Sequence, residues 1–394
     1  MKRFIAATAA CALFAGAGAL RAEDVKLGIL LGFTGPVETL APPIADAADM
    51  AIKEMNESGK FTLGNIVAVR GDSTCIDAGA AVAAAERLVT SDGVKGLMGA
   101  ACSGVTAAIL SNVAVPNGIV QISPSATNPA LSTAPDNGLF FRTAPSDARQ
   151  GEVMADVLLD QGVKSVAVTY TNNDYGKGLA SSFEEAYKAK GGTVTINASH
   201  EDGKADYSAE IGALAAAGGD RLAVVGYLDQ GGAGIVRAAL DTGAFDTFHF
   251  PDGMIGETME KSFGDAIDGS YGQAPGSDSE GTKIFQGLAG DSFNAQSPYA
   301  AEGYDATALI ILAMQAAGST DSNVYKEKIM EVANAPGEKI NPGELGKALE
   351  ILANGGDVDL VGATGVELIG SGEAAGSYRV VKIEGGKFVT AGYR

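Results

Sequence analysis

The chain has 394 residues, of which 46% are hydrophobic and 19% charged, so it is long enough for one large core or two ordinary ones. Its formal charge of −20, without a basic cluster, disfavours binding to nucleic acid or to an anionic membrane. No apolar stretch of membrane-spanning length follows the N-terminal region.

The first 22 residues have the pattern of a secretory signal peptide. Lys2 and Arg3 form a basic start, residues 4–20 are uncharged and rich in alanine, and a cleavage point follows Ala22. A membrane anchor is the alternative, but the run is short and contains alanine and glycine rather than leucine and isoleucine. The sequence therefore predicts export and removal of residues 1–22. Loss of Lys2, Arg3 and Arg21 takes the formal charge from −20 to −23.

Strands and helices alternate along the rest of the chain, which predicts parallel sheets covered by helices on both faces. The first series has strands at 25–31, 66–69, 94–98 and 118–122 and helices at 44–55, 80–89 and 107–115. The second has strands at 165–170, 193–196, 222–225 and 248–250 and helices at 150–159, 178–188, 209–217 and 234–240. Two helices (300–315 and 323–333) and a final hairpin turned by Gly385-Gly386 follow.

Breaks in this alternation at 142–146 and 270–282 indicate joints between two lobes. We expect an α/β fold of two doubly wound parallel-sheet lobes joined by a multi-strand hinge. Lobe 1 is predicted to comprise 23–142 and 276–360, and lobe 2 is predicted to comprise 143–275 and 361–394. Such a hinge permits closure around a ligand.

Two cysteines remain after the signal peptide takes Cys11 away. In an oxidising compartment, Cys75 and Cys102 are expected to form a disulfide. A catalytic or metal-binding thiol is the alternative.

Two hydroxyl-bearing loops follow neighbouring strands. Ser103 begins a helix after the strand at 94–98, and Thr127 follows the strand at 118–122. Open α/β sheets bind ligands at these strand ends, and the free N–H groups of a first helical turn favour an anion. The pair therefore predicts a site for a small carboxylate. Either side chain alone could instead be an ordinary helix cap.

Polar and aromatic residues follow three strands of the second series, namely Tyr175, Tyr227 and Asp252. Across a cleft from Ser103 and Thr127, the aspartate could take an ammonium group and the tyrosines an apolar or cationic one. The alternatives are half-buried packing for the tyrosines and a cap or turn role for Asp252.

Motifs for catalysis are lacking. The two histidines, His200 and His249, are far apart in the pattern, and the Gly-x-Ser-x-Gly and dinucleotide-binding spacings do not occur. The sequence predicts neither an enzyme nor a bound metal or cofactor.

Motifs along nearly the whole chain resemble those of the periplasmic leucine/isoleucine/valine-binding proteins, which are type I solute-binding proteins of ABC importers. The motifs, in chain order, are Thr34-Gly-Pro36, Cys75 with Cys102-Ser103, the segment 122–129, Arg142-Thr with Ser146-Asp and Gln150-Gly151, the segment 174–178, and Gly303-Tyr-Asp305.

This resemblance implies a role for each site residue. Ser103 and Thr127 match the binders of an amino acid α-carboxylate, whereas the carbonyl of Ser125 and the carboxylate of Asp252 match the binders of the ammonium. Ala126 is expected to line the same site, with Tyr175 and Tyr227 closing its far side. It also implies a Cys75–Cys102 pair.

Two positions depart from the family's pattern. Leu40 stands where branched-chain binders commonly have a tyrosine, and Asp252 stands where they have the longer glutamate. The resemblance therefore implies an amino acid ligand, branched-chain or related aliphatic, without fixing which one. It also implies a monomer that works in the periplasm with a membrane permease, or alternatively a ligand-sensing module for a receptor or regulator.

Overall fold

The computed structural model describes residues 23–394, so the expected signal peptide, residues 1–22, lies outside the described residues. In this part of the chain there are two seven-stranded sheets and one two-stranded sheet. Within residues 23–394, no helix has the length and apolar character needed to cross a membrane.

The first series of elements runs from residue 25 to residue 145. Its strands are β1 (Val25–Leu31), β2 (Ile66–Asp72), β3 (Leu97–Gly99), β4 (Gln121–Ser123) and β5 (Phe140–Pro145). Its helices are α1 (Ala41–Ser58), α2 (Ala78–Glu86), α3 (Ser103–Ile109) and α4 (Val115–Asn117), with π-helical turns after α2 and α3.

The second series runs from residue 147 to residue 275. Its helices are α5 (Asp147–Asp160), α6 (Asp174–Ala189), α7 (Ser208–Ala217), α8 (Gly231–Thr242) and α9 (Glu257–Phe263). Its strands are β6 (Ser165–Thr171), β7 (Thr193–His200), β8 (Arg221–Val225), β9 (Phe248–Phe250) and β10 (Tyr271–Pro275).

The remaining helices and strands follow, and several of these strands extend the two large sheets. The helices are α10 (Glu280–Ala289), α11 (Ala300–Ala317), α12 (Ser322–Ala333) and α13 (Leu345–Ala353). The strands are β11 (Glu338–Ile340), β12 (Val358–Leu360), β13 (Leu368–Ile369), β14 (Glu373–Ala374), β15 (Tyr378–Glu384) and β16 (Lys387–Tyr393). The hairpin of β15 and β16 confirms the turn predicted at Gly385-Gly386.

The two large sheets are wound alike. The first has the order β13-β14-β5-β4-β3-β1-β2 and the second the order β16-β15-β10-β9-β8-β6-β7. In each, the five strands of the βα series are parallel, and the order reverses beside the first strand of the series. Open α/β sheets bind ligands outside the carboxyl ends of the strands at such a reversal. Each lobe therefore has one favoured edge for ligand binding, at the carboxyl ends of the strands beside this reversal.

The apolar composition of β1 and α11 explains why these elements lie in the core of the first lobe. Every β1 residue except Lys26 is buried, as expected for a strand covered on both faces. Helix α11 is buried from Ala300 to Gln315 except at Ala301, and it packs against α1 and strands β3 to β5. A helix that is apolar on nearly all sides belongs inside a core.

Within residues 23–394 the chain crosses between the lobes three times, after β5, after β10 and between β14 and β15. Two of these positions differ from the expected limits. Strand β5 pairs with β4 through Arg142 and its whole length stays in lobe 1, and β14 pairs with β5. The expected limits at 142 and 360 are therefore too early, and the third crossing lies at 375–377.

The stretch 270–282, expected to be a joint, contains β10 and the start of α10. Strand β10 lies between β9 and β15, and Gly272 allows the close approach of Phe250, whose carbonyl oxygen would lie 2.4 Å from an added Cβ. Within β10, Gly272, Gln273 and Pro275 interrupt the apolar pattern that would have identified the strand.

Candidate ligand-binding site

A cavity lies between the lobes at the favoured edges of both sheets. Its lobe 1 side comes from the segments after β1, β3 and β4 and from the residue before α11. Its lobe 2 side comes from the segments after β6, β8 and β9. The lining residues are Val37, Leu40, Ala41, Ile44, Ala101, Cys102, Ser103, Ser125, Tyr175, Tyr227, Asp252, Gly253 and Tyr299. Six of the eight predicted site residues are among them.

The cavity is small, about 30 Å³, which is room for a few water molecules. An amino acid is larger than this space. A ligand of that size therefore enters only when the lobes or the lining side chains move apart.

Ser103 holds the lobe 1 end of the cavity. It is the first residue of α3, directly after the extended residue Cys102, and its side chain is buried. Its hydroxyl oxygen accepts a hydrogen bond from the backbone N–H of Asn128 at 3.2 Å. The hydroxyl proton is not engaged by this bond and can be donated to an anionic group.

The loop after β4 places Ser125 beside Ser103. The Ser125 hydroxyl donates to the carbonyl of Ala101 at 3.0 Å, so it ties this loop to the one before α3. The hydroxyl of Ser123 accepts from the N–H of Ala126 at 2.9 Å and shapes the turn. These bonds hold the two loops in one arrangement.

Ala126 and Thr127 are not brought to the cavity surface. The methyl group of Ala126 packs in a small apolar cluster, and its carbonyl accepts from Arg142 at 3.0 Å. The hydroxyl of Thr127 donates to the carboxylate of Asp147 at 3.0 Å. In this conformation the Thr127 hydroxyl, which was expected to face the ligand space, is instead hydrogen-bonded to a buried carboxyl group.

Asp252 forms the lobe 2 end of the cavity. It begins a short 3₁₀ turn that Pro251 separates from β9, and it is 2% exposed. Its Oδ1 accepts from the hydroxyl of Tyr175 at 2.6 Å, and its Oδ2 accepts from the hydroxyl of Tyr299. Gly253 allows this geometry, since an added Cβ would lie 2.6 Å from the carbonyl oxygen of Gly226 and 3.0 Å from the Tyr175 hydroxyl.

Tyr175 and Tyr227 form an aromatic wall. Their rings stack at a centroid separation of 5.1 Å with an interplanar angle of 18°. Both are buried, and each follows a neighbouring strand of the second sheet. The stack presents apolar surface beside the carboxylate of Asp252.

Two buried carboxyl groups give this region its electrostatic character. Burial raises the pKa of Asp252, and the hydrogen bonds from Tyr175 and Tyr299 oppose the rise. Burial and then the charge of Asp252 raise the pKa of Asp147 well above its usual range. Burial and the charge of Asp252 likewise raise the pKa of Tyr175, so its hydroxyl stays protonated and donates. A cation in the cavity would therefore be favoured.

Sequence reasoning missed several lining residues. Val37, Ala41 and Ile44 form an apolar wall at the start of α1, and the strand-end rule that found Ser103 could have found them too, because they follow β1. Tyr299 gave no such signal. It precedes a helix rather than following a strand, and its φ of +68° is unusual for a tyrosine.

The predicted disulfide is confirmed. Cys75 and Cys102 are bonded with a Cα–Cα distance of 5.2 Å. The bond joins the loop after β2 to the first residues before α3. It therefore restrains the backbone that presents Ser103.

The histidines lie apart from the cavity. His200 shares a hydrogen bond with Thr169 at 2.9 Å, and His249 shares one with Gln273 at 2.6 Å. Among residues 23–394, no group of three or more histidine, cysteine or acidic side chains is arranged to hold a metal ion.

Comparison of structures finds solved proteins of similar fold. The leucine binding protein LivK from Thermotoga maritima has a TM-score of 0.78 and 22% identity, covering 94% of this chain and 98% of that one. LivJ from Streptococcus pneumoniae, in complex with isoleucine, has a TM-score of 0.77 and 22% identity, covering 94% and 99%. A solute binding protein from R. palustris in complex with benzoate has a TM-score of 0.73 and 20% identity, covering 94% and 96%. At these identities the likeness concerns the fold.

Comparison of sequences reaches closer relatives. The Leu/Ile/Val-binding protein homolog 1 of Brucella abortus (strain 2308) is 31% identical over 322 residues, covering 80% of this chain and 83% of that protein. The leucine-specific-binding protein of Salmonella typhimurium is 30% identical over 322 residues, covering 81% and 85%. The family model for periplasmic binding proteins matches residues 24–337. The chain therefore belongs to the periplasmic binding protein family.

Proposed function

We propose that the protein is the exported solute-binding component of an ABC importer and binds a branched-chain or related aliphatic amino acid between its lobes. The observation that carries the proposal is the division of the buried cavity into a hydroxyl-lined end at Ser103 and Ser125 and an acidic end at Asp252, beside an apolar wall. A zwitterion with an aliphatic side chain complements all three. Relatives named for leucine, isoleucine and valine support the same class of ligand.

In this proposal lobe 1 binds the carboxylate of the ligand, and the ammonium lies between one acceptor from each lobe. The α-carboxylate accepts from the Ser103 hydroxyl and the first-turn N–H groups of α3, with Thr127 reaching it after local rearrangement. The ammonium donates to Asp252 and to the carbonyl of Ser125. Each charge-assisted hydrogen bond contributes about 1.5–3 kcal/mol, so several support micromolar or tighter binding, about −8 kcal/mol or beyond.

The aliphatic side chain then lies against Val37, Ala41 and Ile44 from lobe 1. Leu40 and the stacked pair of Tyr175 and Tyr227 complete the apolar surface. Since binding removes both charges from water, a ligand that lacks either one leaves a buried protein group without its partner. Such a ligand should bind more weakly.

The partner in this proposal is a membrane permease that receives the amino acid from the closed binding protein, which acts as a monomer in the periplasm. The protein itself catalyses no reaction. Binding is reversible and is coupled to opening and closing about the three hinge crossings.

Calorimetry on the exported protein, freed of bound ligand by unfolding and refolding, tests this function. L-leucine, L-isoleucine and L-valine are compared with 4-methylpentanoate, which lacks the ammonium, and with isoamylamine, which lacks the carboxylate. We expect binding of at least one L-amino acid and at least about tenfold weaker binding of both analogues. Benzoate is included because a protein of the same fold was crystallised with it.

The acidic end is tested by Asp252→Ala, which should weaken amino acid binding at least about tenfold while the fold is retained. Asp241→Ala, an equal change of charge at an exposed position of α8, is the matched control. Unchanged affinity in Asp252→Ala, or tighter binding of benzoate than of any amino acid, would contradict the proposed function.

A further inference from the structure

Tyr299 reaches from lobe 1 to the acid of lobe 2. It directly precedes α11, the helix that packs against α1 and the strands of the first sheet, and its side chain is buried. Asp252 follows β9 of the second sheet. The hydrogen bond from the Tyr299 hydroxyl to Asp252 Oδ2 therefore crosses the cleft, whereas the bond from Tyr175 to Oδ1 stays within lobe 2.

The two tyrosines fix the carboxylate from both sides. An aspartate side chain has a free terminal torsion, and a buried carboxylate with one unpaired oxygen is costly. With one phenol donor on each oxygen, the carboxylate plane is set and each oxygen keeps a lone pair for a further donor. The opposite lobe thus completes the geometry of Asp252 when the cleft closes.

We propose that Tyr299 is a specificity-determining residue that orients Asp252 for the ammonium group of the ligand and links recognition of that group to closure of the lobes. This inference rests on the proposed function, because it concerns the same cavity and an amino acid ligand. Only ligands with an ammonium group gain from Tyr299. A carboxylate without one leaves Asp252 with its two phenol donors and gains nothing further.

The left-handed backbone at Tyr299 supports a role beyond packing. A φ of +68° is disfavoured for a residue with an aromatic side chain, and such positions persist where the surrounding structure demands a particular side-chain direction. Here the direction is toward the cavity and the carboxylate. The cavity lining includes the Tyr299 side chain itself.

The test is Tyr299→Phe, which removes only the hydroxyl. Calorimetry compares L-leucine with 4-methylpentanoate. We expect the variant to lose about tenfold or more in affinity for the amino acid and less than about twofold for the des-amino analogue. Tyr304→Phe is the matched control, because it removes a buried phenol hydroxyl of α11 that bonds Glu54 at 2.6 Å, and it should leave both affinities unchanged.

A double-mutant cycle tests whether Tyr299 acts through Asp252. If it does, adding Tyr299→Phe to Asp252→Asn changes the amino acid affinity by less than about twofold. Small-angle scattering provides a second readout, since the variant with L-leucine should be more open than the wild type with L-leucine, whereas the two proteins should not differ with 4-methylpentanoate. This measurement also serves if Tyr299→Phe is less stable, because it needs only folded protein.

The outcomes separate this inference from the function on which it rests. If the wild type binds no amino acid, the proposed function fails. If the wild type binds one and Tyr299→Phe binds it equally well, the inference alone is overturned. An equal loss for L-leucine and 4-methylpentanoate, or full additivity in the cycle with Asp252→Asn, also overturns it, because either result indicates a purely structural role.

Discussion

Asp229 forms a second set of contacts across the cleft, outside the ligand cavity. It follows β8 in lobe 2, and its carboxylate accepts from the backbone N–H of Thr39 at 3.0 Å and from the Thr39 hydroxyl at 2.7 Å. Thr258, also in lobe 2, donates to the same carboxylate at 3.0 Å. Because Thr39 belongs to lobe 1, the two bonds from Thr39 exist only while the lobes are together.

The magnitude of this contact follows from its exposure. A hydrogen bond to a charged group contributes about 1.5–3 kcal/mol when buried, but the Thr39–Asp229 bonds lie at the surface, where water competes. We therefore take about 0.5–1 kcal/mol for each of the two bonds, or about 1–2 kcal/mol of closure free energy. If ligand binds the closed form, Asp229→Ala should weaken binding by about 5- to 30-fold.

Calorimetry with an amino acid ligand measures this loss, and small-angle scattering measures the shift toward the open form. Asp241→Ala again controls for the change in net charge. Asp229→Asn, which keeps one carbonyl acceptor, should fall between the wild type and the alanine variant. An affinity of Asp229→Ala within twofold of the wild type, at unchanged thermal stability, would refute the reasoning that these bonds stabilise closure.

Three further predictions concern stability. Burial lowers the pKa of His249 to about 3, so the unfolded chain binds a proton first as pH falls below 6.5, and this residue should cost about 1.6 kcal/mol of stability between pH 6.5 and 5. Urea unfolding measures this loss, which should be absent in His249→Gln, and equal pH slopes for the two proteins would contradict it. Arg142 donates to the carbonyls of Ala126 and Asn128 and pairs with Glu373, so Arg142→Ala should lower the free energy of unfolding by about 3–5 kcal/mol. A loss below about 1 kcal/mol would show that these contacts do not stabilise the fold as described. Replacing both bonded cysteines by alanine should lower the free energy of unfolding by about 3 kcal/mol relative to the oxidised wild type, as measured by urea unfolding. Equal urea midpoints for the two proteins would contradict the entropy argument for the closed loop.

The regular part of the fold could be predicted because its signals are local. Apolar runs such as Val25–Leu31 and the helical spacing within α1 and α6 depend on residues a few positions apart. The elements that were missed depend on distant partners instead. Strand β14 has two residues and exists because β5 lies beside it, and nothing within Glu373–Ala374 indicates that pairing.

The candidate site divides in the same way. Ser103 and Asp252 could be located because parallel strands bring their carboxyl ends to one edge, whichever residues form the sheet. The direction of the Thr127 hydroxyl could not, because it is set by Asp147, which is twenty positions further along the chain. The hydrogen bond between Tyr299 and Asp252 could not be predicted either, because its donor lies in lobe 1 and its acceptor lies in lobe 2. It therefore depends on how the two lobes are arranged.

The placement of these contacts explains why recognition and closure are one process in the proposed mechanism. Ser103 and Ser125 belong to lobe 1 and Asp252 belongs to lobe 2, so lobe 1 alone leaves the ammonium of a zwitterion without a negatively charged partner. The bonds made by Tyr299 and Asp229 also span the lobes, but only the first touches the ligand space. Asp229 therefore favours closure on any ligand, whereas Tyr299 favours closure on a ligand whose ammonium group completes the site. A binding protein that delivers its ligand to a permease needs both properties, because closure must be accessible and must also depend on what has been bound.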